Sequence, residues 1–347
     1  TQDSPAPLTA KPPASSKKVA TAKTEDPLPS VQLTAPLLYK LLRGELALQR
    51  GDWQLAYVSM LVTAQETRDP RLAERAAKIA LSAKQVNEAL SAVRLWHELA
   101  PNSDEANQFY LGLIILGDNL KEARPILIER LRLASPQTRG VLILEIQRLL
   151  ANTKDKNAAF ALLEEVTTPY QDLVETHLAL AQSAFTKNDI ARANSEAHIA
   201  LKIKPDLELA VLMVAQSTRS RAEALQILED FIKANPKSRE VRVAYAKILI
   251  DEKQYDQARA QFEQLLKDDP KDLTILYAMG ILGAQTNDIP MAEKYLSAYL
   301  QALEDNPDES RDPVQALLIM SQIAEDRKDY ATALKWLAQV EPGPAYM

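Results

Sequence analysis

The sequence predicts an all-α solenoid: helix–turn–helix units stacked one after another behind an extended leader. Three observations point to it. First, an alanine follows each of seven turns at a constant offset: Ala56, Ala89, Ala123, Ala193, Ala258, Ala292 and Ala333. Most neighbouring pairs lie 33 to 41 residues apart, and the two wider gaps are about twice that. A fixed period in this range is the mark of a repeat array. Second, Pro101, Pro205, Pro236 and Pro270 each follow a helical stretch. A proline there cannot continue the helix, so it separates one pair from the next. Third, glycine is scarce at 8 of 347 residues and aromatics make up 5%, while alanine, leucine, glutamate, lysine and glutamine dominate. That is a helical composition.

Residues 1–35 are a different material. Prolines at 5, 7, 12, 13, 27 and 29 alternate with alanine, serine, threonine and lysine, with neither a helical nor a strand period. Such a segment buries too little apolar area to offset its ordering entropy, so a disordered, semi-rigid linker is expected. From Pro36 a leucine stripe begins (Leu38, Leu41, Leu42), breaks at Gly51-Asp52 and resumes from Leu55. This reads as two helices joined by a tight turn. About nine such units are expected over 36–341. The fourth, near 137–170, lacks a clean turn and keeps only Ala159 and Leu163 of the pattern. The sixth has a compressed connection, Ser217-Thr218-Arg219-Ser220-Arg221, and the step from Pro205 to Pro236 is 31 residues against 34 for Pro236 to Pro270. Residues 342–347 read as the start of a further, truncated repeat, and the natural protein is expected to continue.

The pattern resembles the tetratricopeptide repeat. That family uses a 34-residue hairpin with small residues at its eighth and twentieth positions and proline at its thirty-second. Ala181, Ala184, Ala193, Ala197, Ala200 and Pro205 carry the likeness in one copy, and Tyr245, Ala246, Leu249, Tyr255, Ala258, Phe262, Leu265 and Pro270 in another. Gly44 with Ala56, and Gly280 with Ala292, keep the family's twelve-residue interval. The resemblance covers nearly 90% of the chain and implies a right-handed superhelix whose first helices line a concave, protein-binding groove. The opening stretch is also similar to the first repeats of outer-membrane tetratricopeptide lipoproteins of Gram-negative bacteria. "Leu-Tyr", "Glu-Thr-Arg-Asp-Pro" and "Ala-Glu-Arg-Ala" carry that likeness. Members of that group act as adaptors for periplasmic carboxyl-terminal processing proteases. This narrower resemblance implies a periplasmic, non-enzymatic protein tethered to the outer membrane by a lipid anchor preceding Thr1. A cytoplasmic protein is the alternative.

No catalytic constellation is present: no GxSxG, Walker loop, GxGxxG or HExxH occurs, and no cofactor is expected. With no cysteine and three histidines (His97, His177, His198), no metal site is expected. His177 and His198 fall on the two helices of one unit, where packing or surface roles suffice. Trp53, Trp96, Trp336, Met279 and Met320 read as core. A net charge of −6, from 41 basic and 47 acidic residues, argues against a nucleic-acid surface.

By the family's register the groove residues include Glu74, Lys78, Gln108, Glu175, Gln182, Lys247, Asp251, Gln285, Gln322 and Asp326. The set is polar and amide-rich, suited to an extended or helical protein segment. Chaperone-tail binders of the family place lysine at position five and asparagine at position nine. Here position five holds residues such as Leu41, Leu178, Val243 and Leu318, so that clamp is absent. A basic cluster, Arg219, Arg221, Arg239 and Arg242, flanks the short sixth unit and suits an acidic partner or its own acidic neighbours. The expected function is a protein–protein interaction scaffold: an envelope adaptor that recruits a processing protease, its cell-wall hydrolase substrates, or both. The alternatives are a structural scaffold of a pilus, secretion or polysaccharide-export assembly, and an enzyme whose catalytic domain lies beyond Met347.

Overall fold

The computed structural model describes residues 26–340. The first 25 residues of the expected linker, and the expected start of a further repeat, lie outside them. Among the described residues every regular element is helical. The helices follow one another as hairpins: α1 (Ala35–Gln49) with α2 (Trp53–Thr67), α3 (Pro70–Ser82) with α4 (Val86–Leu99), and α5 (Asp104–Leu116) with α6 (Leu120–Leu133). Then come α7 (Pro136–Leu150) with α8 (Lys156–Thr167), α9 (Val174–Thr186) with α10 (Ile190–Ile203), and α11 (Glu208–Ser217) with α12 (Arg221–Ala234). The last are α13 (Arg239–Asp251) with α14 (Tyr255–Asp268), α15 (Leu273–Gln285) with α16 (Ile289–Asp305), and α17 (Val314–Asp326) with α18 (Tyr330–Leu337). The fold is an all-α solenoid of successive helical hairpins.

Seven of the turns within hairpins share one construction. Gly51, Lys84, Asp118, Asn188, Lys253, Asn287 and Lys328 each adopt a left-handed backbone, with φ from 56° to 63° at the non-glycine positions and 81° at Gly51. The next residue's N–H donates to the carbonyl five residues back, as in Asp52 to Ala47, Asp189 to Ala184 and Gln254 to Leu249, at 2.7 to 3.0 Å across the seven. The left-handed residue's own N–H donates three residues back. This paired closure satisfies carbonyls that the helix end would leave orphaned. In four of the turns an aspartate then caps the second helix: Asp52, Asp189, Asp288 and Asp329 each accept from the amide three residues on, at 3.0 to 3.1 Å. These turns coincide with the seven read from the sequence. The fourth and sixth hairpins, where the period lapses, use other connections: Ala151–Asp155, and Thr218–Ser220 with Thr218 extended.

The constant alanines are the inter-helix contact points. Six of the seven are fully buried and Ala333 is nearly so. They let the second helix lie close on the first. The twelve-residue interval read in the sequence marks a contact at Gly44, where a Cβ would lie 3.8 Å from the Ala56 carbonyl oxygen, but the nearest packing partners lie elsewhere. A Cβ on Gly283 would lie 2.5 Å from the backbone nitrogen of Ala292, nine residues on, whereas Gly280 packs on Leu296 and Gly44 on Ser59 and Met60. Trp96, Met279 and Met320 are buried, while Trp53 and Trp336 are half-buried against neighbouring clusters.

The chain forms two compact units, dividing within α6. The first, through Ile126 and with Asn152–Lys154, is centred on the alanine-rich faces of α2, α3 and α4 around Met60, Val93 and Trp96. Residues 26–34 run extended against it. The Asp26 carboxylate accepts from the Asn102 backbone and side-chain nitrogens at 3.1 and 2.9 Å, and Pro29, Val31 and Leu33 line a recess with Leu37, Leu41 and Leu72. The second unit, Leu127–Ala151 and Asp155 onward, is held by successive clusters around Val214, Leu228, Phe262 and Leu296.

The motifs behind the narrower lipoprotein resemblance are structural punctuation. Arg68 ends α2 in a left-handed conformation, Asp69 caps α3 through the Arg71 amide at 2.9 Å, and Pro70 takes the first helical position. Ala73 and Ala76 are core, and Arg75 forks Glu45 at 3.0 and 2.9 Å, tying α3 to α1.

Candidate protein-binding surface

The first helices of the hairpins carry the ten polar residues placed on the groove by register. Lys78, Gln108, Gln182, Lys247, Asp251, Gln285, Gln322 and Asp326 are exposed, and Glu74 and Glu175 are half-buried. Several are already engaged. Lys78 bonds Glu74 and lies 3.2 Å from Glu105, contacts that raise its pKa, the Glu74 hydrogen bond most. Gln322 donates to Asp326 at 2.8 Å. Glu175 lies over Gly140 of α7, where any Cβ would collide with its carboxyl group. Two further positions that the register turns toward the groove, Leu178 and Val243, are buried instead.

The four clustered arginines have different surroundings. Arg239 bonds Asp272 at 2.5 Å and Glu240 at 2.6 Å. Arg242 donates to the Gln261 side chain at 2.6 Å and the Pro236 carbonyl at 3.0 Å, and burial lowers its pKa. Arg221 stands 3.9 Å from Asp251, both largely exposed. Arg219 has no ion-pair or hydrogen-bond partner among the described residues, and neither does Lys247.

The structure brings Arg219 and Arg221 together with Lys247 at one place. The helix α11 has 10 residues, where α9, α13, α15 and α17 each have 13. The missing turn leaves a recess of about 600 Å³ between the end of α11, the start of α12 and the middle of α13. Leu212, Ala215, Ala224, Leu228, Ala244 and Ile248 give it an apolar floor, and Gln216, Arg219, Arg221 and Lys247 stand at its rim. On the opposite side of Thr218–Arg219 a second recess, of about 500 Å³, lies between α10 and α12 and includes the exposed His198. Asn194 anchors the connection between them by donating to Ser217 Oγ at 3.0 Å. Reading residues by register missed Leu212, Gln216 and Ile248. The signal that could have found them was the 31-residue proline step, which marks the lost turn.

The histidines stand apart from one another. His177 is buried and does not meet His198; its Nδ1 lies 2.6 Å from Glu196 Oε2 and its Nε2 2.8 Å from the Gln171 carbonyl. Among the described residues no three His, Cys, Asp or Glu side chains converge on a metal position. No described helix is long and apolar enough to cross a membrane.

A family model described as tetratricopeptide repeat matches residues 219–279 and 249–309, a stretch that includes the α12 and α13 side of this recess. Among curated proteins, the TPR repeat-containing protein PA4667 of Pseudomonas aeruginosa is 28% identical over 218 residues, which is 60% of this chain and 35% of that protein. The chain thus spans about a third of the length of this relative. Solved structures with a similar arrangement include PilW, a widely conserved type IV pilus biogenesis factor (TM-score 0.45, 16% identity, covering 62% of this chain and 96% of that one). Another is YrrB, a TPR protein with an unusual peptide-binding site (TM-score 0.37, 17% identity, 59% and 97%). Over residues 219–309 the chain is thus similar to the tetratricopeptide repeat, and its helical hairpins agree with that likeness.

Proposed function

We propose that the chain is a non-enzymatic scaffold that holds segments of other proteins along the first helices of its hairpins. The observation that carries this reading is the division of each unit into two kinds of surface. Alanines and large apolar residues close the hairpins, while the first helices α3, α5, α9, α13, α15 and α17 present exposed amides and charges with no catalytic grouping among them. Binding would be spread over several units with a few anchors dominating.

Within that reading the chain works as an envelope adaptor, held at the outer membrane by its proline-rich leader and presenting a processing protease with cell-wall hydrolases. The opening motifs and the leader composition support this role and the periplasmic location. Photo-crosslinking residues placed at Gln182, Lys247 and Gln322 in cells, followed by mass spectrometry, test both levels. Adducts to a protease or a cell-wall hydrolase are expected. Adducts confined to pilus, secretion or export components would replace the adaptor role with a structural one. No protein adduct at any of the three positions would end the scaffold reading. With the crosslinker at Gln322, the double variant K247E/Q182K is expected to lose most of the adducts seen from that position, with an unchanged circular dichroism spectrum; loss of helix would mean that these residues hold the fold.

A further inference from the structure

We propose that the recess at the sixth hairpin is a docking site for an acidic segment of a partner protein. The segment seats an apolar side chain on the recess floor and sets carboxylates against Arg219, Arg221 and Lys247. The proposal rests on the scaffold reading and names the chemistry of the partner.

The recess exists because the chain is short there. With α11 ending at Ser217, three residues before its counterparts would, the flanks of α12 and α13 that a last turn would cover stay open. Leu228 and Ala224 at the bottom are almost inaccessible to solvent, and Leu212 and Ile248 are half-buried, so the floor accepts an apolar group rather than a solvated ion.

The rim supplies the charge. Arg219 and Lys247 are exposed and unpaired among the described residues, so a carboxylate meets them without first breaking a bond. Arg221 faces Asp251 at 3.9 Å, and a pair this exposed gains little from its Coulomb attraction and exchanges partners readily. Among the described residues no acid lines this recess; Asp251 stands near Arg221, and Glu223 lines the recess on the other side of the connection, which Arg219 also borders. The nearby Arg239 and Arg242 are excluded, since each is committed to oxygens of its own neighbourhood.

The rest of the molecule sharpens the choice. At a net charge of −6 the chain repels acidic segments on average, so a local group of three cations fixes where such a segment binds and in which orientation. Guanidinium groups fork carboxylates in fixed planes, whereas the lysine adds a point charge. Three cations are too few to track a nucleic-acid backbone.

The test uses the full chain and a fluorescently labelled peptide of about ten residues alternating aspartate with leucine, acetylated and amidated so that it carries no terminal charge. Anisotropy titrations are expected to show saturable binding that weakens with salt. The same peptide with asparagine for aspartate is expected to bind about tenfold more weakly. R219E/K247E is expected to weaken the aspartate peptide about tenfold, R219Q/K247Q less, and the charge-matched control K237E/K267E by less than about twofold. Circular dichroism of each variant checks the fold, and the glutamine pair keeps the test valid if charge reversal unfolds the hairpin. Equal affinity for the aspartate and asparagine peptides overturns the proposal, and so does equal weakening by the control. If R219E/K247E keeps every partner crosslinked from Gln182 and Gln322 and binds the peptide like wild type, the recess fails while the scaffold stands; a chain with no crosslinked partner fails at the earlier step.

Discussion

Lys84, Lys253 and Lys328 hold a left-handed backbone that a Cβ opposes, at φ of 57°, 58° and 61°. Glycine adopts it freely, at the cost of more freedom to lose on folding. Replacing any one by glycine is expected to raise stability by about 0.5–1 kcal/mol, seen as a higher urea midpoint, whereas Gly51→Ala should lower it. These lysines also explain why the turns were legible as a pattern of positions rather than of residue types: the hydrogen bonds are made by backbone and tolerate any side chain that bears the strain. The buried His177–Glu196 pair was not legible, because the two residues meet only across the α9–α10 hairpin. The hydrogen bond that His177 donates to the Glu196 carboxylate raises the His177 pKa above its ordinary 6.5 despite burial. For Glu196, burial pushes upward, yet hydrogen bonds from His177 and Arg192 hold it below its usual 4.5. The pair's contribution is therefore full between about pH 4.5 and 6.5. It fades as pH rises through the raised histidine value, and again as pH falls through the lowered glutamate value. In H177Q the high-pH limb of that dependence of the urea midpoint should vanish, while Arg192 keeps part of the low-pH limb; an unchanged high-pH limb would show that His177 gains no proton affinity on folding.

At the scale of the element, hairpin closure depends on close approach and on caps. Gly283 faces the backbone of Ala292, which cannot move aside as a flexible side chain would. Gly283→Ala is expected to destabilise the α15–α16 hairpin by about 1–3 kcal/mol, whereas Gly112→Ala, where a Cβ meets nothing within 4 Å, should be neutral or slightly stabilising. Caps offer the opposite change. Gln85 and Gln254 occupy N-cap positions without a side-chain bond to the first-turn amides, at sites where other hairpins use aspartate. Gln254→Asp is expected to add about 1 kcal/mol by bonding the free amides of the first turn of α14, measurable as slower exchange of those amides. The helices and most boundaries were readable from apolar spacing and turn chemistry. The facing residue was not, because a twelve-residue interval fixes which residues share a hairpin and leaves their relative rotation open. The same rotation buries Leu178 and Val243, which the family register turned outward.

For the molecule as a whole, the places where the hairpins lose their regularity were legible in the sequence, as the missing turn near 151–155 and the short proline step. It could not reveal which surface cations are free, since the pairs that occupy the others reach between hairpins: Arg75 to Glu45, Arg94 to Glu122, Arg239 to Asp272. In a repeat array each unit leans only on its neighbours, so stability is local and unfolding need not be a single transition. The sixth hairpin is where that locality should show. At its turn Thr218 N–H bonds the Ala215 carbonyl at 3.3 Å, and the paired closure of the other turns is missing. The amides of Arg219 and Ser220 have no backbone acceptor, whereas in the α13–α14 turn Lys253 and Gln254 donate at 2.9 and 2.7 Å. Hydrogen exchange of the free chain should therefore be faster across 216–221 than across the corresponding turns at 187–190 and 252–255. Saturating aspartate peptide should slow it at the first site alone, because a segment bridging Arg219 and Lys247 ties the connection to α13. Equal protection at all three turns would mean that the Asn194–Ser217 bond already locks the connection, leaving the recess rigid whether or not it is filled.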